Sequence, residues 1–149
     1  MATHSPMTVL RELAEQSLDE ATSTLGKMRQ AHASANQQHD QLVGYQQEYC
    51  NQLQTSVAGK GMSVISLLNQ NAFIESLGKA IEQQHHYVSE CQQSVDLALL
   101  TWRQDKKRFN AFTTLKNRAD SVAALKASRQ DQKLMDEFAQ RASSGRGNK

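Results

Sequence analysis

The run Gln70-Asn71-Ala72-Phe73-Ile74-Glu75-Ser76-Leu77-Gly78-Lys79-Ala80-Ile81-Glu82 decides the fold, because its apolar residues recur at alternating steps of three and four. That spacing is the seam of a coiled coil, in which one stripe of a helix meets a neighbouring helix. From Ile74, seven-residue steps give Ile81, Val88, Val95, Trp102 and Phe109; from Leu77 they give Gln84, Cys91, Ala98, Asp105 and Phe112. The second track is mostly small or polar, so the stripe is narrow and suits one neighbouring helix better than a globular core.

Working back toward the N-terminus, a second narrow seam appears. Leu18 leads to Leu25, His32, His39, Gln46 and Leu53, and Ala21 leads to Met28, Ala35, Leu42, Tyr49 and Ser56. Ser5-Pro6 supplies a start signal, since serine caps free amides and proline at the first helical position loses no hydrogen bond. Gly26 and Gly44 each cost about 1 kcal/mol against alanine in a helix interior, yet the period outlasts them. It fails only at Val57-Ala58-Gly59-Lys60-Gly61-Met62-Ser63, whose close pair of glycines marks a turn. Ser63 or Ser66 caps the second helix, and Val64, Ile65, Leu67 and Leu68 are expected to fold over the tip as an apolar lid.

Two helices joined by a tight turn run antiparallel and supply each other's seam. The expected architecture is all-α: one long antiparallel two-helix coiled-coil hairpin over residues 1–149. Its helices span about 6–57 and 64–142 by pattern, with a tip at about 58–63 and a flexible tail at 143–149. Positions whose numbers add to about 124 then pair. The second helix is the longer, so from about Arg118 to Ala142 it projects past its partner. That overhang carries Val122, Leu125, Leu134, Met135 and Phe138 with no intrachain surface to cover them. An unpartnered apolar face beside dense cations points to another protein. A second copy of the chain, or simple fraying, are the alternatives that pattern leaves open.

Composition agrees with long helices. Of 149 residues, 38% are hydrophobic, only 5% are aromatic and one is proline, which is too little to fill a wide interior and gives no cue for sheet. The net charge of +2 conceals an asymmetry. Residues up to Trp102 carry five Lys/Arg against ten Asp/Glu, and the remainder twelve against five. The C-terminal third is a basic arm suited to an acidic protein surface, a nucleic acid or an anionic membrane. Interleaved Asp105, Asp120, Asp131 and Asp136 and the lack of a reading motif argue against nucleic acid.

No apolar run approaches the roughly 20 residues that cross a bilayer, and no signal peptide is recognisable, so a cytoplasmic, reduced protein is expected. Cys50 and Cys91 fall more than about 20 Å apart by the pairing rule, beyond the reach of a disulfide. The rule sets His39 near His85, but histidines in a seam more often fix register than hold metal, and neither a metal nor a cofactor is expected. With no Ser-His-Asp set, phosphate-cradling loop or carboxylate pair in a pocket, the chain does not read as an enzyme. Near the tip, Gln38, Leu42, Tyr45 and Tyr49 share a broad face, and pairing brings Phe73, Leu77 and Ala80 to it. Read as structure these residues brace the hairpin; read as function, Tyr45 and Phe73 anchor a partner.

Four segments in order carry a family likeness: Tyr45-Gln46-Gln47-Glu48-Tyr49, Phe73 to Gln83, Val95 to Leu99 with Trp102-Arg103, and Asp131 to Ala142. The string Met135-Asp136-Glu137-Phe138-Ala139-Gln140-Arg141 is the most specific. The chain resembles the FliJ family of the bacterial flagellar type III export apparatus. The resemblance implies an antiparallel coiled coil, similar to a rotary ATPase stalk, whose terminal end enters the ring of the flagellar export ATPase. It further implies contact with the cytoplasmic part of the export gate at the inner membrane, and binding of export chaperones. Carried over by position, the gate-facing surface comprises Gln38, Leu42, Tyr45, Tyr49, Phe73, Leu77 and Ala80; Gln84 stands where the family has histidine. The ATPase-facing set comprises Gln132, Lys133, Met135, Asp136, Phe138 and Arg141. On this reading the free protein is a monomer, held peripherally at the inner membrane's cytoplasmic face through the apparatus. A homodimeric coiled-coil scaffold is the alternative.

Overall fold

The computed structural model describes residues 5–147. Helix α1 spans Pro6–Gly59, 54 residues, and helix α2 spans Val64–Gly147, 84 residues. At 1.5 Å per residue these are about 80 Å and 125 Å long. Ser5 caps α1, its Oγ accepting from the Thr8 amide at 3.3 Å. Ser63 does the same for α2, accepting from the Ser66 amide at 3.2 Å, which settles the choice between the two serines. Between them the Lys60 and Gly61 amides both donate to the Ser56 carbonyl, at 3.2 and 3.1 Å. Gly61 has φ +73°, a left-handed conformation that a side chain would strain, and it turns the chain back.

The fold is an all-α helical hairpin whose two long helices pack against each other. It resolves into two compact units, residues 19–104 and the chain up to Leu18 with everything from Asp105 onward. In residues 19–104 the seam tracks are the covered positions. Ala21, Leu25, Ala35, Cys91 and Ala98 are buried, while Ile74, Leu77, Ile81, Gln84, Val88, Val95 and Trp102 are half-buried. Small side chains let the backbones approach, so the core is one thin line of contacts.

Observed pairs fix the register. Gln46 donates to the Ile74 carbonyl at 3.5 Å, numbers that add to 120. The Tyr49 and Phe73 rings lie 4.8 Å apart, adding to 122, and Trp102 Nε1 donates to Thr22 Oγ1 at 2.9 Å, adding to 124. The falling order on α2 as α1 rises makes the helices antiparallel. Polar seam positions are satisfied across the interface: Gln84 Nε2 donates to the Ala35 carbonyl at 2.9 Å and to Gln38 Oε1 at 3.3 Å. A half-buried amide with both partners in reach specifies register where an apolar residue would tolerate slippage.

In the other unit Ala14 is the buried contact. Arg11 packs its guanidinium 5.3 Å from the Phe109 ring centroid, and its Nε donates to Thr113 Oγ1 at 3.1 Å. Lys106 Nζ lies 5.8 Å from the same centroid. Lys116 is the last partly covered residue of α2, and every side chain described from Asn117 to Gly145 is exposed.

Two expectations are corrected. Val64, Ile65 and Leu68 form no lid, being 71%, 74% and 61% exposed. Ile65 and Leu68 lie about 100° or more around α2 from the half-buried Leu67, Gln70 and Ile74, and Val64 flanks that seam, so a rigid helix cannot turn all of them inward. The polar segment from Ser143 continues α2 as far as Gly147 instead of leaving the helix; Asn148 and Lys149 lie outside the described residues.

Candidate partner-docking surfaces

The first surface is built on residues 38–49 and 73–80. Gln38, Leu42, Tyr45 and Tyr49 follow the three- and four-residue steps that place them on one flank of α1. In the observed register Leu42 is level with Ala80 and Tyr45 with Leu77. Leu42, Leu77 and Ala80 are half-buried and form the floor. Tyr45, Tyr49 and Phe73 stand above it at 55%, 40% and 45% exposure. Tyr49 is thus not a fully covered seam residue. It meets Phe73 in a tilted ring pair with an interplanar angle of 49°, a geometry favoured by the ring quadrupoles. Beneath the flank, Gly78 lies beside Gln46, where an added Cβ would stand in ordinary contact with Gln46 Nε2 at 3.4 Å.

The second surface is α2 beyond Lys116. At 100° per residue Leu134, Met135, Phe138, Ala139 and Ala142 make one apolar stripe, with Lys126, Arg129 and Lys133 roughly opposite. Leu134, Met135 and Phe138 are 64%, 73% and 76% exposed. The six residues assigned to this end by resemblance are therefore all exposed but do not share a face. Met135 and Phe138 lie on the stripe, Gln132 and Arg141 along its edges, and Lys133 and Asp136 on the basic side.

Two features were not anticipated from the sequence. One is an open groove bounded by Leu10, Leu13, Ala14, Ser17, Arg108 and Phe112, which needs both helices in register before it exists. The other is the bare apolar side of α2 at the tip, whose signal was present: Val64, Ile65 and Leu68 are out of phase with the seam.

His39 and His85 do meet, with ring centroids 5.8 Å apart, and His39 Nδ1 lies 3.5 Å from Asp40. Among the described residues no group of three or more His, Cys, Asp or Glu side chains is arranged to hold a metal ion. Cys50 and Cys91 are free thiols. No helix of the described residues is long and apolar enough to cross a membrane.

A helical hairpin with a one-residue-wide core, an aromatic flank and an uncovered terminal segment defines a class of all-α protein whose outer surfaces, not its interior, are available to other molecules. Within that class, the chain belongs to the flagellar FliJ protein family, whose model matches residues 3–148. It is similar to the flagellar FliJ protein of Salmonella typhi, 43% identical over 142 residues that cover 95% of this chain and 96% of that one. The flagellar FliJ protein of Escherichia coli (strain K12) is 40% identical over the same shares.

Proposed function

We propose that the chain is a non-enzymatic component of the flagellar type III protein export apparatus, serving as the stalk-like partner and activator of the export ATPase. In this reading it also links that ATPase to the membrane export gate and escorts export chaperones. Membership of the FliJ family supports the assignment to the apparatus. The observation that carries the rest is the uncovered helix from Asn117 to Gly145. A lone helix gains little in water, so an apolar stripe of this length gains most from a partner. Because Gln132, Lys133, Met135, Asp136, Phe138 and Arg141 are distributed around the helix, they suit a partner that encloses it, as a ring does. Cations on the opposite side set orientation and on-rate more than affinity.

The flank of Tyr45, Tyr49 and Phe73 is the proposed gate contact, supported by exposed aromatics over an aliphatic floor. Truncation after Lys126 is expected to abolish binding and stimulation of the purified export ATPase while circular dichroism shows the hairpin still helical. A truncated chain that stimulates hydrolysis as the full chain does would end the assignment.

A further inference from the structure

The bare apolar side of α2 at the hairpin tip is unaccounted for by either proposed protein contact. Val64, Ile65 and Leu68 are all more than 60% exposed and lie within about 100° of one another around the helix. Ile65 and Leu68 face away from α1 and Val64 stands on the flank of the seam, and all three remain uncovered in the closed hairpin. The surrounding charge is as unusual as the exposure. Between Glu48 and Glu75 the chain carries a single charge, Lys60, which sits in the turn itself.

Three occupants are conceivable, and the surface discriminates among them. A second copy of the chain, like any stable protein partner, needs roughly 800 Å² per side, more than three aliphatic side chains on a convex tip supply. Protein contact centres also favour Trp, Tyr and Arg, with Leu, Val and Ser under-represented, and the tip offers aliphatics and serines. A fluid bilayer surface needs no preformed complementarity and accepts a small convex wedge. There aliphatic groups enter the acyl boundary while a nearby lysine reaches anionic headgroups and no carboxylate is repelled.

We infer that the hairpin tip is a weak membrane-contact site, in which Val64, Ile65 and Leu68 insert at the surface of an anionic bilayer and Lys60 meets its headgroups. One small wedge with one cation gives reversible association, since stable anchoring takes two signals. This contact does not depend on the identity of any protein partner.

The test uses the full chain with vesicles of phosphatidylglycerol and phosphatidylcholine. In the Leu68→Trp variant the added fluorophore is expected to shift to the blue and to be quenched by brominated acyl chains. Wild-type emission, from Trp102 bonded to Thr22, is expected to stay unchanged and serves as the internal reference. In co-sedimentation, Ile65→Asp with Leu68→Asp is expected to lower partitioning about tenfold or more, both sites being exposed enough to leave the helices intact. The fluorophore readout separates tip insertion from adsorption through the basic arm. A basic-arm variant, Lys126→Glu with Lys133→Glu, is expected to preserve the blue shift. The inference is overturned by an unshifted fluorophore, by equal partitioning onto pure phosphatidylcholine, or by sedimentation showing a dimer that the Asp variant dissolves.

Discussion

Residues 19–104 and residues 117–147 are made of the same material, long helix with alanine, glutamine and scattered aliphatics, yet they solve opposite problems. In the first, successive turns of each helix carry a covered seam position: Leu25 is 7% exposed and Ala35 only 1%. In the second, Leu134 is 64% exposed and Phe138 76%. Helix propensity does not separate them. Coverage does, and coverage decides whether an apolar side chain contributes to the fold of this chain or to a contact with another molecule.

The comparison can be broken most directly by truncating one leucine in each region. Leu25→Ala is expected to cost about 2–4 kcal/mol, because the buried seam loses transfer energy and gains a void. Leu134→Ala is expected to stay within about 0.5 kcal/mol of wild type, there being no intrachain packing to lose. Urea denaturation followed by circular dichroism measures both. Equal losses would show that the overhang is covered after all.

A subtler contrast lies within the paired region, between its seam and its flank. Tyr45→Ala with Phe73→Ala is expected to weaken export-gate binding at least about tenfold while ATPase binding persists, as expected when exposed aromatic anchors are removed. Pull-downs on the two partners, run with the same preparation, read the difference; loss of both would mark a folding defect instead. A modest gain is expected at Gly26, where an added Cβ meets nothing within 4 Å. Gly26→Ala is expected to stabilise the hairpin by about 0.5–1 kcal/mol through helix propensity alone, visible as a rise in the urea midpoint.

Much of this division is legible in the sequence, for a physical reason. A seam is a local periodicity, so the tracks through Ile74 and Leu77 could be followed without knowing where the partner was. The turn at Gly59 and Gly61 then set the pairing, and from the pairing came the end of coverage at Lys116. The flank of Tyr45 and Phe73 followed from the same rule. Orientation around each helix is not legible when apolar residues are contiguous. Val64, Ile65, Leu67 and Leu68 look like one cluster on paper, but only Leu67 turns toward α1. The helicity of residues 143–147 was missed because serine and glycine argue for a loose end, and composition outweighed continuity. The groove at Leu10 and Phe112 required two helices at once.

The turn at Gly61 also has a kinetic consequence. Contacts across the hairpin grow steadily less local with distance from it: the Gln46–Ile74 pair spans 28 residues, Gln84–Ala35 spans 49, Trp102–Thr22 spans 80 and Arg11–Thr113 spans 102. Closing a loop costs entropy that rises with its length, so the pairs nearest the turn form at least expense and each shortens the closure required of the next. Assembly is therefore expected to run from Gly61 outward. Gly61→Ala, which strains the first closure, is expected to slow refolding in stopped-flow experiments more than it speeds unfolding, whereas changes at Arg11 should do the reverse.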